Sequence, residues 1–364
     1  MENAKYMKIA IKLAKKGGKN VRSNPLVGCV IVKNDKIIGQ GYHKKYGQNH
    51  AEVEAINDAI KNGFSLENSD LYATLEPCCH FGKTPPCANT IIKNKVKRVF
   101  YGTQDLNNIV NGNGLKALQD AGIETIKSSL EQECIKLNKI FFVNKTKNRP
   151  FVSAKIATTI NGKIADRNGS SKWISCDKSR EYLHRNMRND ADAIITTSKT
   201  VTVDNANMNI RIGKETQELN CIIVDKNLDI LKNPELNIFK RKATTLFILC
   251  KKIQPCNINN VQLIECKTDE NDHLIIESAL HFLYNNHNIC KILVEAGGGF
   301  CAGLLQQNLV DEICHFIAPN IIYDNKSISC FTDDCVNLIN DKNLFKIDKF
   351  EQIDKDLLVI YSKI

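Results

Sequence analysis

Apolar residues along the first 125 or so positions alternate between strand and helix spacing. Two apolar runs around a turn in "LVGCVIVKNDKIIGQGY" predict paired strands, and further strands are predicted at "LYATLEP", "RVFYGT" and "IETIKSS". Helical spacing predicts helices from Ala51, from about Ala88 and through "GLKALQDAG", and the lysine-interrupted amino terminus predicts an amphipathic helix. This alternation is typical of an α/β sandwich.

A second alternation starts after the basic, polar segment "VNKTKNRP", which ends in proline. We therefore predict a domain boundary near residue 147, with domains 1–146 and 147–364. Strands of the second domain are predicted at "FVSAKIA", "DAIITTS", "LNCIIVD", "TTLFILC", "KILVEAG" and "EICHFIAP". With helical stretches between some of them, this half is α/β as well.

Composition narrows the class of protein. The chain has 364 residues, 43% of them hydrophobic and 25% charged, as in ordinary globular proteins of two domains. A net charge of +10 suits nucleic acid, an anionic surface or phosphorylated small molecules, but the basic residues are spread along the chain. No long apolar run predicts a membrane span. Fifteen cysteines scattered through apolar segments predict reduced thiols and a cytoplasmic protein.

The stretch "NHAEVEA" places His50 and Glu52 where a helical pattern begins. Side chains and free main-chain N–H groups on the first turn of a helix can face an ion or a reacting group beyond its N-terminus. "LEPCCHFGKTPPCANT" adds Cys78 and Cys87, so imidazole and two thiolates form a ligand set that zinc prefers, with a fourth position open for water. Glu52 is then left to act as the proton shuttle.

Two other interpretations of these residues stay open. His50 could lie near a helix N-cap and the cysteines could be buried thiols. A structural zinc site would want a fourth protein ligand, for which Cys79 and His80 are candidates, although Cys79 is adjacent to Cys78.

"HAEVEA", "TLEPCCHFGKTPPCA" and "NPLVGCVIV" resemble the deaminase domain of the bifunctional riboflavin-biosynthesis deaminase/reductase family, from about Asn24 to Asp120. The resemblance implies a cytidine-deaminase-like three-layer sandwich, zinc on His50, Cys78 and Cys87, and Glu52 as catalytic acid/base. It also implies substrate contacts at Asn24, His43, His80, Lys83, Thr84, Asp105 and Asn107. The family's D-P-N-P is replaced here by Asp105-Leu106-Asn107-Asn108, and each contact residue also has an ordinary surface or capping interpretation.

The second half contains three unusual stretches, "NGKIADRNGSSKWIS", "TTSKTVTVDNANMNIR" and "VEAGGGFCAG". In the last, a strand leads into glycines and then a helix, so main-chain N–H groups are open to a phosphate. The next strand ends at Pro319 without the acidic residue of a Rossmann unit, and a tight structural turn is an equal alternative.

Together these stretches resemble the reductase domain of the same family, which implies a dihydrofolate-reductase-like α/β fold that uses NADPH. The implied NADPH contacts are Trp173, Thr200, Asp204, Gly297, Gly298, Gly299, Phe300, Cys301, Ala302 and Gly303. The implied substrate-binding residues are Lys155, Ser171, Arg188, Met208, Arg211 and Glu295, with the two arginines suited to a phosphate fork. Asn161 and Asn205 stand where the family has aspartate, and Ala206 and Gly298 stand where it has proline. Trp173 in the core and Arg188 as a helix-face charge are plainer alternatives.

We therefore predict a bifunctional enzyme of riboflavin biosynthesis. It would deaminate 2,5-diamino-6-(5-phosphoribosylamino)pyrimidin-4(3H)-one with zinc and then reduce the ribosyl chain to ribityl with NADPH. The expected partner is this phosphoribosyl-pyrimidine, with no nucleic acid and no membrane, in a homo-oligomer. A tRNA-type nucleic-acid deaminase and a zinc-stabilised binding protein without turnover remain alternatives; the former class uses a shorter C-x-x-C.

Overall fold

The computed structural model describes residues 4–81, 85–106, 112–331 and 345–363. The chain forms two compact units, Met1–Asn148 and Arg149–Ile364. No helix in the described part of the chain is long and apolar enough to cross a membrane.

The first unit is built on a five-stranded sheet. Its strands are β1 (Gly28–Lys33), β2 (Lys36–Tyr42), β3 (Asp70–Ala73), β4 (Arg98–Tyr101) and β5 (Glu124–Lys127). They lie in the order β2-β1-β3-β4-β5, with β1 antiparallel to both neighbours and β3, β4 and β5 parallel. Asn34 and Asp35 join β1 to β2 with positive φ angles, as a two-residue hairpin turn requires.

Helices cover both faces of this sheet. They are α1 (Ala4–Ala14), α2 (Ala51–Lys61), α3 (Cys87–Lys93), α4 (Asn113–Asp120), α5 (Glu131–Leu137) and α6 (Lys139–Lys147). Ile31 of β1 packs in one core with α2, α3 and α4, whereas its neighbours Val30 and Val32 pack in another with α1. Successive strand residues thus face opposite layers, which confirms the predicted three-layer sandwich.

The second unit contains a nine-stranded sheet and two small strand pairs. The strands are β6 (Phe151–Thr159), β7 (Lys163–Ala165), β8 (Ala193–Thr197), β9 (Ile210–Ile212), β10 (Glu215–Gln217), β11 (Asn220–Val224), β12 (Leu246–Cys250), β13 (Val261–Glu265), β14 (Lys291–Val294), β15 (Glu312–Ala318), β16 (Ile328–Ser329), β17 (Phe345–Ile353) and β18 (Asp356–Lys363). The large sheet has the order β13-β12-β11-β8-β14-β6-β15-β18-β17 and is parallel except at β15-β18 and β18-β17.

Both faces of the parallel part of the large sheet are buried. The helices are α7 (Asp177–Tyr182), which continues into π-helical Leu183–Arg188, α8 (Ser198–Asp204), α9 (Glu277–His287) and α10 (Gly298–Gln306). Ile195 of β8 packs with α9 and α10, and the preceding Ile194 packs with α7, α8 and the π-helical turn. A parallel sheet covered on both faces is the second predicted α/β domain.

Candidate functional site

His50, Cys78 and Cys87 form a ligand cluster in the first unit. Their ligand atoms lie within 4.8 Å of one another. His50 Nδ1 is 3.5 Å from Cys78 Sγ and 3.3 Å from Cys87 Sγ. Ligand bonds of ordinary length around tetrahedral zinc would place such atoms about 3.6 Å apart, so the cluster has the size zinc needs.

Helix starts position two of these three residues. His50 is the N-cap of α2 and Cys87 is the first residue of α3, after Pro86. The Cys87 main-chain N–H donates to Cys78 Sγ at 3.4 Å, so Cys78 is held to the start of α3. Because helix N-termini favour negative charge, this placement suits thiolate ligands.

The electrostatics of the cluster favour one ionised thiol. A hydrogen bond from Cys87, together with His50, lowers the pKa of Cys78 to about 4. The hydrogen bond to Cys78 and burial raise the pKa of Cys87 well above its ordinary value. A divalent cation at this point would allow both thiols to ionise. Neither Cys79 nor His80 belongs to the cluster among the described residues.

Glu52 is the second residue of α2, the helix that His50 caps, and it is only 3% exposed. Burial raises the pKa of the Glu52 carboxyl to about 7. Its Oε2 atom is buried and has no hydrogen-bond partner within the described part of the chain. A buried carboxylate oxygen without a partner fits a site where a water or substrate atom is received.

A cavity of 330 Å³ opens next to this cluster. Its lining includes Glu52, His50 and Cys78 together with four residues implied as substrate contacts, Asn24, His43, His80 and Asp105. The other implied contacts, Lys83, Thr84 and Asn107, lie outside the described residues. The cavity is within the usual size of small-molecule sites.

His43 and Asn24 form a defined pair in that cavity. His43 is 2% exposed, and burial lowers its pKa. His43 Nδ1 donates to the Asn49 carbonyl at 3.0 Å, so its Nε2 atom accepts from Asn24 Nδ2 at 3.2 Å. The Asn24 amide oxygen is thereby the atom available as an acceptor. His80 Nδ1 is buried without a partner within the described ranges, so the capping interpretation is not what the structure shows for this atom.

Glu76 is a site residue that the sequence analysis missed. It is 3% exposed and lines the cavity. Its Oε2 accepts from the main-chain N–H groups of Asp105 and Gly112 at 3.3 and 3.0 Å. Its Oε1 accepts from those of Gly114 and Leu115 at 3.0 and 3.4 Å. The carboxylate therefore fixes Asp105 against the start of α4; its position beside Cys78 in "LEPCC" was the available signal.

Lys145 was also missed. It lines the same cavity from the last turn of α6, and its Nζ lies 5.8 Å from the centroid of the Phe141 ring, another cavity residue. Both residues are far from the quoted motifs in the sequence, so only the packing of α6 brings them to the site.

In the second unit, Arg188 and Glu295 form a buried ion pair. Arg188 Nε and Nη2 donate to the two carboxylate oxygens of Glu295 at 2.6 and 2.8 Å, and Nη1 donates to the Asn209 carbonyl at 2.5 Å. Burial opposes ionisation of Glu295, but Arg188 and Lys155 hold the pKa of its carboxyl below the ordinary value. Burial lowers the pKa of Lys155. The structure thus brings these three residues together, and Arg188 is not a surface charge.

Three of the five N–H groups of Arg188 are therefore already engaged, which changes the expected phosphate fork of two arginines. Arg211 is exposed and lies beside His184, a residue that the sequence analysis did not select. Met208 has a positive φ angle of 46° and its side chain packs in the core, so its side chain is not placed to contact a substrate. Ser171 is exposed.

The residues implied for NADPH lie after neighbouring parallel strands. Thr200 is in α8, after β8, and Gly297 caps α10, after β14. Ligands of open α/β sheets bind at such carboxyl ends. A Cβ atom placed on Gly297 or Gly303 would meet nothing within 4 Å, so the described main chain is open to a ligand there. This arrangement fits a dinucleotide and its phosphates. The segment also contains Gly298, Gly299, Phe300, Cys301 and Ala302.

Trp173 and Asp204 lie on the surface of this unit. Trp173 is 67% exposed, so it is not a core residue, and the Arg180 guanidinium lies 4.3 Å from its ring centroid. Asp204 pairs with Lys172 at 3.0 Å. Because Lys172 precedes Trp173, this contact links the tryptophan segment to α8.

Two departures from the family pattern have local structural reasons. Asn161 Nδ2 donates to the Ile322 carbonyl at 2.9 Å, while its Oδ1 accepts from Ile322 N–H at 3.4 Å. An aspartate could accept but not donate, so asparagine suits this two-way contact. Asn205 ends α8 in the left-handed conformation, with φ 44°, where asparagine is favoured.

Gly298 has a steric reason. A Cβ atom there would lie 2.9 Å from the Ser329 carbonyl oxygen and 3.0 Å from the Phe331 nitrogen. The chain at 329–331 crosses the start of α10 so closely that glycine is the residue that fits.

Comparisons with known proteins agree with these observations. Residues 1–103 match the family model "Cytidine and deoxycytidylate deaminase zinc-binding region", and residues 150–359 match "RibD C-terminal domain". The riboflavin biosynthesis protein RibD of Buchnera aphidicola is 36% identical, covering 100% of this chain and 99% of that protein. That of Aquifex aeolicus is 34% identical, covering 98% of each.

Solved structures give the same result. A diaminohydroxyphosphoribosylaminopyrimidine deaminase/5-amino-6-(5-phosphoribosylamino)uracil reductase from Thermotoga maritima has a TM-score of 0.84 and 35% identity, covering 99% of this chain and 98% of that one. Acinetobacter baumannii RibD has a TM-score of 0.80 and 30% identity, with 99% and 98% coverage.

The fold and the two sites define a zinc-dependent deaminase joined to an NADPH-dependent reductase. The chain belongs to the RibD family of riboflavin biosynthesis, as its motifs predicted. The nucleic-acid deaminase and the inert binding protein are not favoured by these findings.

Proposed function

We propose that this chain deaminates 2,5-diamino-6-(5-phosphoribosylamino)pyrimidin-4(3H)-one and then reduces the ribosyl side chain of the product to ribityl. The observation that carries this proposal is a buried Glu52 oxygen that has no partner among the described residues. It lies beside the His50, Cys78 and Cys87 cluster, on a cavity large enough for a pyrimidine.

In the deaminase site, His50, Cys78 and Cys87 would hold zinc, which supplies a Lewis acid that activates water at neutral pH when it is bound. Glu52 takes the proton of the attacking water on Oε2 and returns it to the departing amino group. The short helical connection between His50 and Glu52 keeps the carboxylate close to the cluster without making it a ligand.

The remaining cavity residues orient the substrate. Asn24 accepts from the pyrimidine through its amide oxygen, because its nitrogen is committed to His43. His80 contributes its Nδ1 atom, which has no partner within the described ranges, and Asp105 is held by Glu76. Lys83, Thr84 and Asn107, on the resemblance alone, are proposed as further substrate and phosphate contacts.

In the reductase site, NADPH supplies the reducing hydride when it is bound. The glycines at the start of α10 receive its phosphates, and Trp173, Thr200 and Asp204 line its path. Lys155, which has a lowered pKa and lies near Glu295, would deliver the proton that accompanies ring opening. Ser171 and Arg211 hold the ribosyl phosphate.

We also propose that the protein works in the cytoplasm as a homo-oligomer that binds no nucleic acid. Support for the location is that the cysteines in the described ranges form no disulfide bonds with one another. Sizing by light scattering and a salt-dependent RNA-binding assay would test the other two statements.

The test of the proposed function is an assay on zinc-loaded protein that follows ammonia release and NADPH oxidation separately. Both signals with the phosphoribosylated diaminopyrimidinone are expected. Ammonia release without NADPH oxidation would contradict the reductase assignment, and neither signal from zinc-loaded protein would contradict both assignments.

A further inference from the structure

His184 contacts Arg211, and no step above gives this histidine a role. His184 is 7% exposed and belongs to the π-helical turn Leu183–Arg188, a kind of irregularity that is frequent at functional sites. The same turn carries Arg188, whose ion pair with Glu295 places the turn beside the reductase site. Arg211, in β9, is exposed.

The hydrogen bonds fix the tautomer of His184. The Arg211 main-chain N–H donates to His184 Nδ1 at 3.0 Å, so Nδ1 carries a lone pair. The single proton of a neutral imidazole is then on Nε2. Burial, followed by the positive charges of Arg188 and Arg211, lowers the pKa of His184 to about 4, which keeps the ring neutral near pH 7.

The protonated Nε2 atom faces another donor. Arg211 Nη2 lies 3.3 Å from His184 Nε2, and neither group can accept from the other in this tautomer. Two convergent donors, one of them cationic, are satisfied together by an oxyanion between them. Arg188 already donates three of its five N–H groups to Glu295 and Asn209, whereas Arg211 contacts the His184 ring directly.

We propose that His184 Nε2–H and the Arg211 guanidinium together bind a phosphate monoester, the ribosyl phosphate of the reductase substrate. The identity of the phosphate as substrate rests on the proposed function. The binding of an oxyanion by this pair does not.

Two substitutions of His184 separate its two nitrogens. In His184→Asn the amide oxygen reproduces the Nδ1 acceptor but the distal donor is lost. In His184→Gln the amide nitrogen reproduces the Nε2 donor. Reductase kinetics would be measured in the full-length, zinc-loaded protein with the phosphorylated substrate and with its dephosphorylated analogue.

For the phosphorylated substrate, His184→Asn should lower kcat/KM about 10- to 100-fold, mainly through KM, as expected for loss of a hydrogen bond to a charged group. It should leave kcat/KM for the dephosphorylated analogue unchanged, and His184→Gln should restore much of the loss. Equal losses with both substrates, or no loss with either, would overturn the proposal.

Inorganic phosphate supplies a test that does not depend on the substrate. Titration of 15N-histidine-labelled protein with phosphate should shift the His184 Nε2 signal, and Arg211→Met should abolish the shift. If the wild type reduces neither substrate, the proposed function fails, while this titration still decides the oxyanion site. The absence of any shift in the wild type would overturn it.

Discussion

Replacing Glu76 by glutamine tests whether this buried carboxylate presents Asp105 to the deaminase cavity. Glutamine has the same shape but keeps only one acceptor oxygen. Two of the four main-chain N–H groups would then face an NH₂ group. In either orientation of the glutamine amide, these two are one of the 3.0 Å contacts and one of the contacts at 3.3 or 3.4 Å. At about 1.5–3 kcal/mol for each bond to a charged group, and less for the longer one, the local loss is about 2–4 kcal/mol.

The lost hydrogen bonds connect Asp105 to the start of α4, and Asp105 is a proposed substrate contact. We therefore expect the KM for deamination to rise at least tenfold. Bound zinc and reductase activity should stay at the wild-type level. Ammonia release, zinc content and NADPH oxidation would be measured on the same preparation.

Glu67→Gln is the matched control for the change in charge. Glu67 has a side chain that is 54% exposed and pairs with Lys95 at 3.3 Å, so its loss should leave KM unchanged. Wild-type kcat and KM for deamination in Glu76→Gln would refute the positioning role. Loss of zinc in that variant would instead mean that Glu76 supports Cys78.

The remaining predictions concern the proton shuttle, the metal and the stability of the second unit. Glu52→Gln should retain zinc but reduce ammonia release by at least a thousandfold, about 4 kcal/mol in the barrier, and near-normal turnover would rule out the proton shuttle. Removal of zinc with a chelator should abolish ammonia release and lower the melting temperature of the protein, and an unchanged melting curve would contradict the link between metal and folding. Asp311→Asn should destabilise the second unit by about 3–5 kcal/mol in urea unfolding, because Arg149, 3% exposed, would lose its buried carboxylate partner; a change below about 1 kcal/mol would contradict that reasoning. Stability should also fall as pH decreases from about 6.5 towards 4, since His184 takes up a proton more readily when unfolded, and His184→Gln should flatten this part of the profile.

Hydrophobic periodicity predicted the inner strands of the five-stranded sheet and the inner parallel strands of the nine-stranded sheet, β6, β8, β11, β12, β14 and β15. Runs such as "CVIV" and "FILC" are apolar at every position because both faces of β1 and β12 are covered. β17 and β18 were not predicted. They form an antiparallel pair at the edge of the large sheet, and β17 carries charged residues and exposed Phe350, so its pattern does not distinguish it from a loop.

The metal cluster could be predicted because its residues are marked by local motifs at helix starts. His184, Glu76 and Lys145 could not, because tertiary packing alone brings them to their sites. His184 acts through a tautomer that depends on a main-chain N–H of β9, 27 residues away. Glu76 bonds to groups 29 to 39 residues away. Such partners are set by tertiary packing, whereas spacing in the sequence reports only local geometry.

The crossing of residues 329–331 over Gly298 has an evolutionary consequence. Proline at this position would suit the first turn of α10, but its ring would meet the Ser329 carbonyl. The two segments can therefore change only together: a relative with proline must carry the second segment farther from α10. Substitution by proline in this chain alone would be selected against even though proline is compatible with the helix. The history of this lineage is expected to show paired replacements, at position 298 and within 329–331, in place of independent ones.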